Sequence, residues 1–198
     1  MSQLARILVL ILVSFFIAGC GASKNNAIYS ALPINTDGNP SGKVILVEFL
    51  DYSNLDCLKM ASIINVVMEK RPNVRIIYHP MVDDAQKAYF TRLVLAAGLQ
   101  DRFLAANHLM VNASPKLTEQ QAIDLLSQAF IDTNELKRQE MGPEVSVLLS
   151  RNEQLAKQNG VTHLPTFFVG KMGYKAHPLM GAQTLTELLA AIDKENAE

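Results

Sequence analysis

The 198-residue sequence predicts an α/β domain: a parallel strand-helix-strand unit, then a long helical stretch, then a hairpin and a last helix. Three observations carry that reading. "KVILVEFL" (Lys43 to Leu50) is short, rich in β-branched and aromatic residues and almost continuously apolar, the pattern of a strand covered on both faces. From Cys57 the apolar residues change to helical spacing, so that Cys57, Met60, Ala61, Ile64, Val67 and Met68 share one face until Pro72 ends the run. "NVRIIYHP" (Asn73 to Pro80) then returns to a strand pattern, and two strands joined through a helix run parallel.

The chain opens on what reads as a targeting segment. Arg6 is the only charge before Cys20, and Ile7 to Ile17 is apolar apart from Ser14, too short to cross a bilayer comfortably and the length of a signal-peptide core. Ile17-Ala18-Gly19-Cys20 resembles the bacterial lipobox, which implies cleavage before Cys20 and a lipid on its thiol. An uncleaved membrane anchor is the plainer alternative, and both place the body outside the cytoplasm. Gly21 to Gly42 is polar and punctuated by Asn, Asp, Gly and Pro, as a tether would be. The expected organisation is therefore a signal peptide over 1–19, a lipid-anchored tether over 20–42, and a folded domain over 43–82 and 160–198 interrupted by a helical insertion over 83–159.

Within the domain the punctuation is explicit. Ser53 and Asp56 have the spacing of a capping box before the first helix, and Asn54 is also a good capping residue. The insertion has periodic runs at Tyr89 to Ala97, Phe103 to Val111, Ile123 to Phe130 and Val145 to Leu155. Pro115 precedes a Thr118-to-Gln121 capping box, Gly142-Pro143 opens a helix, and Asn159-Gly160 closes it. "TFFVG" and "GYKAH" suggest an antiparallel hairpin, with a capped helix from Thr184.

This order resembles the DsbA-type thiol oxidoreductases, which have a thioredoxin fold with an inserted helical domain. The resemblance covers Lys43 to Asp193 and rests on "VEFLDYSNLDC", on "NEQLAKQNGVTHLPTFFVG", and on the helical insert between them. In that family the junction reads Glu-Phe-x-x-x-x-Cys-x-x-Cys. Counting from Glu48-Phe49 puts Asn54 at the nucleophilic cysteine and Cys57 at the resolving one. The resemblance also places Leu164-Pro165 at the cis-proline turn that faces the cysteines, His163 near the mouth of the site, and Glu48 as a buried acid. A shifted register would pair Cys57 with Met60 instead, against the Phe49 spacing.

Disulfide exchange starts with an exposed thiolate, and an Asn amide cannot supply one. Asp56 beside Cys57 disfavours its thiolate, whereas the helix N-terminus favours it. The plain reading of Cys57 is a buried inert thiol, of Asn54 a helix cap, of Glu48 a satisfied charge and of His163 a turn histidine. The expectation is thus a lipid-anchored envelope protein facing the periplasm, with lack of Asp at Gly21 favouring the outer membrane. It would bind an extended peptide or protein without dithiol catalysis, needing no cofactor or metal. Two alternatives stay open: a monothiol enzyme or chaperone acting through Cys57, and a metal-handling role for Cys57, His163 and the methionines Met60, Met68 and Met81. With 18 basic against 19 acidic residues and no basic block, nucleic acid is not an expected partner.

Overall fold

The computed structural model describes residues 24–30 and 35–197. The expected signal peptide, Cys20 and Gly21 lie outside them. Five strands form one mixed sheet: β1 (Thr36–Gly38), β2 (Val44–Leu50), β3 (Val74–Pro80), β4 (Thr166–Lys171) and β5 (His177–Met180), in the order β1-β3-β2-β4-β5. β2 and β3 are parallel with Glu48 opposite Tyr78, and the other three pairings are antiparallel. The helices are α1 (Leu55–Lys70), α2 (Ala88–Gly98), α3 (Phe103–Val111), α4 (Glu119–Leu126), α5 (Thr133–Glu140), α6 (Pro143–Gln158) and α7 (Leu185–Ala197). The chain is an α/β protein with a thioredoxin-like sheet, five of its described helices lying between β3 and β4.

β2 explains the layering. All seven of its residues are buried, and because successive side chains point to opposite faces, they divide between two cores. Val44, Leu46 and Leu50 join α1, α3 and α7 in the larger one, with Cys57, Met60, Ile64 and Val67. Ile45, Val47 and Phe49 face a smaller one with Leu155 and Ala156 of α6, Phe168 of β4, and Ile28 and Tyr29. Glu48, being even-numbered like Leu46 and Leu50, points to the larger, apolar face.

Ile28 and Tyr29 belong to a 3-10 turn, Lys24–Tyr29, within the stretch expected to be a tether. They are 0% and 1% exposed. Thr36–Gly38, in the same stretch, adds a strand to the sheet edge. The folded body thus begins well before Lys43, because a short turn carrying two large apolar side chains covers a sheet face that would otherwise meet water. His79 holds this turn: its ring Nε2 lies 2.7 Å from the Ile28 carbonyl and its Nδ1 lies 3.3 Å from Asn152 Oδ1. Burial lowers its pKa, so the neutral ring donates to the closer acceptor.

Three further expectations change. The N-cap of α1 is Asn54, not Ser53, and the carboxylate of Asp51 rather than a capping box takes the Ser53 N–H at 2.6 Å. The second hairpin strand is His177–Met180 rather than the Gly173 to His177 stretch, with residues 172–176 forming the turn. α5 occupies a segment where no periodic run was read. The Thr118-Gln121 capping box, Pro143 in the first turn of α6, and Gly160 at φ +71 after it all stand where the punctuation put them.

Candidate functional site at the start of α1

The junction between β2 and α1 is shaped by two polar side chains. Asn54 Oδ1 accepts from the backbone N–H groups of Asp56 (2.9 Å) and Cys57 (3.3 Å), satisfying two of the donors that a helix N-terminus leaves open. Asp51, 1% exposed, accepts from the N–H groups of Ser53, Asp83 and Asp84. One carboxylate therefore pins the β2-α1 loop to the loop after β3. This residue was missed at the sequence level, because its partners lie 32 and 33 positions away and no local pattern announces them.

Cys57 sits one turn into the helix and is 1% exposed. Its Sγ accepts a long hydrogen bond, 3.4 Å, from the Asp51 N–H. Burial pushes the thiol far up from its usual range, with Glu48, Asp51 and Asp83 adding in the same direction and the Asp51 N–H opposing them. Between the helix N-terminus and burial, burial wins, because a thiolate here would lose its hydration with no cation beside it.

Asn54, by contrast, faces a groove. Its Nδ2 lies 3.5 Å from the Leu164 carbonyl, and the Leu164-Pro165 bond is cis. The groove is lined by Asn54, Met81, Val82 and Asp83 on one side and by Val161, Thr162, His163 and Leu164 on the other. His163 is exposed, its Nδ1 2.9 Å from the Thr162 hydroxyl, while its carbonyl accepts from the Thr166 hydroxyl at 2.7 Å. The structure thus brings Asn54, Leu164 and His163 to one groove and leaves Cys57 buried outside its lining.

Glu48 is 2% exposed, with Oε1 buried and unpartnered. Burial raises its pKa to about 8, so its carboxyl is mostly protonated at neutral pH. The methionines are dispersed: Met60 Sδ accepts from the Gln183 N–H at 3.4 Å, Met81 lines the groove, and Met68 packs against the larger core. Among the described residues, no group of three or more His, Cys, Asp or Glu is placed to hold a metal ion, and no helix is long and apolar enough to cross a membrane.

No curated protein matches the chain. Solved structures do. A thioredoxin-like oxidoreductase from Silicibacter pomeroyi superposes with a TM-score of 0.77 at 25% identity, covering 87% of this chain and 98% of that one. The catalytic domain of ScsC from Proteus mirabilis gives 0.74 at 22%, covering 89% and 97%. The thiol-disulfide exchange protein α-DsbA2 from Wolbachia pipientis gives 0.71 at 19%, covering 85% and 90%. These neighbours share the DsbA-like form of the fold. The family model described as thioredoxin matches residues 35–194, nearly the whole described body, and the chain belongs to that family.

Proposed function

We propose that this protein is a DsbA-like binding protein of the bacterial envelope that has kept the peptide-facing groove of its family without its nucleophile. The observation that carries the reading is the division of labour at the start of α1. The side chain that meets the groove is the amide of Asn54, committed to capping the helix, while Cys57, the only cysteine among the described residues, is buried and does not line the groove. An amide offers hydrogen bonds and no redox chemistry. An extended peptide laid in the groove would find the Asn54 amide with Met81 and Val82 on one wall and the backbone of Val161 to Leu164 on the other, and such main-chain pairing needs no thiol. The lipobox-like tetrapeptide ending at Cys20 supports export and anchoring, and a solved relative described as a periplasmic thioredoxin-like protein from Salmonella, 20% identical, is consistent with that compartment.

The test is alkylation of Cys57 across pH on the folded body, with Cys20 replaced by Ser. Modification should stay negligible until the protein unfolds. Fast modification with a midpoint below that of a free thiol would overturn the reading in favour of monothiol chemistry. Binding of an unfolded client should in turn survive Cys57→Ser and be weakened by Thr162→Trp, which fills the groove.

A further inference from the structure

A second concave site lies between α1 and α3 and shares no lining residue with the groove. It is a cavity of about 200 Å³. Its buried residues are Glu48, Cys57, Ile64, Tyr78, Asn107 and Val111, and the exposed Asn65, His108 and Asn112 stand at its mouth. The Glu48 carboxyl is its unmet demand: Oε1 has no hydrogen-bond partner although the side chain is almost fully buried. Native structures rarely leave a buried acceptor so.

None of the surrounding groups answers it. The titratable side chains coupled to Glu48 are Tyr52, Cys57 and Tyr78, none of them basic. Tyr52 spends its hydroxyl hydrogen on Asn107 Oδ1 at 2.8 Å. At the mouth, His108 Nε2 is held by Asp37 at 2.8 Å, which raises the histidine's pKa and lowers that of the aspartate. That pair is close to neutral when charged, leaving Glu48 as the one acid among the residues lining the cavity, and without a counterion. We propose that this cavity binds a small organic cation, a primary alkylammonium, whose N–H groups donate to Glu48 and whose short chain lies against Ala61, Ile64 and Val111.

The ion replaces a proton. In the empty cavity Glu48 holds its proton up to about pH 8, and an ammonium entering displaces it to solvent as the carboxylate forms. Affinity therefore rises with pH, up to about tenfold per unit, and levels off above about pH 8. Protonation of His108 at lower pH adds a positive charge at the mouth and works in the same direction.

The experiment is calorimetric titration of the folded protein with ethylammonium chloride, beside the neutral 1-propanol, at about pH 6.5 and about pH 8.5. Ethylammonium should bind in the millimolar range open to so small a ligand, more tightly at the higher pH, and 1-propanol should not. Glu48→Gln should weaken ethylammonium at least about tenfold, the loss expected of a buried charged contact. Ala61→Leu, which narrows the cavity and leaves Glu48 in place, should remove binding as well, and it decides the matter if Glu48→Gln does not fold. Equal binding of the alcohol, undiminished binding by either folded variant, or no binding of ethylammonium to the parent protein would overturn the proposal. None of these results depends on whether the groove binds peptide.

Discussion

At the scale of single residues, the proposed function turns on the amide of Asn54, which stands where the resemblance to the DsbA-type enzymes expects a thiol. Asn54→Cys would place two cysteines three apart at the helix start, with position 54 facing the groove and Cys57 below as a resolving partner. The variant should reduce the disulfides of insulin in the presence of a dithiol, whereas the parent should not. It should also lose about 1 kcal/mol of stability with the cap, read from denaturant midpoints. A folded but inactive variant would show that the register counted from Glu48-Phe49 is wrong. Glu48 makes a prediction of a different kind. Its folded pKa, about 8, lies above its ordinary value of 4.5, so between those values the unfolded state has lost a proton that the folded state keeps. Stability therefore falls as pH rises through that window, by up to about 1.4 kcal/mol per unit, and levels off above it. Glu48→Gln should flatten this decline in urea titrations run across the window. Both residues were singled out from the sequence, but burial, which decides what each can do, depends on partners far along the chain.

Among the elements, those with a periodic apolar pattern were legible in the sequence and those without one were not. β2, α1 and β3 stand out because their buried faces are regular and their ends carry Asn54 and Pro72. α5 is mostly polar, and of its eight residues only Leu136 and Glu140 are buried, too few to set a period. β1 is Thr-Asp-Gly, three residues that no strand propensity would select; it exists because the edge of β3 offers hydrogen-bonding groups to whatever chain passes. β5 was misplaced because its residues are mostly exposed and it pairs on one side only. His79 joins two elements that sequence could not relate. With its ring removed in His79→Ala, the Ile28 carbonyl loses its donor, so amides of residues 27–30 should exchange hydrogen faster while those of β2 stay protected. Unchanged exchange at 27–30 would mean that apolar packing alone seats the turn.

For the molecule as a whole, the larger core is built by α1, α3 and α7 against one sheet face, and the smaller one is completed only by the N-terminal turn and α6. Arg71, at the end of α1, grips Asp193 of α7 through two 2.6 Å contacts, closing the first layer. The second layer has no such closure without Ile28 and Tyr29. A chain begun at Lys43 should therefore be less stable than one begun at Lys24, by several kcal/mol at about 1.5–3 kcal/mol per large buried apolar side chain. Thermal unfolding of the two truncations would measure it, and equal midpoints would show the turn to be dispensable.

Gly170, near the end of β4, adds a consequence to this arrangement. A Cβ there would collide with the hydroxyl of Tyr29 and press to 3.2 Å on the Cα of Ala176. The two positions thus form a lock and its key, cut 141 residues apart in the chain. Neither can change first without cost: Gly170→Ala ejects the tyrosine, whereas Tyr29→Phe, which shortens the key by one oxygen, opens room for the methyl group. Divergent copies of this protein that fill position 170 must therefore pass through a shortened residue 29, and the order of those two steps is imposed by the fold.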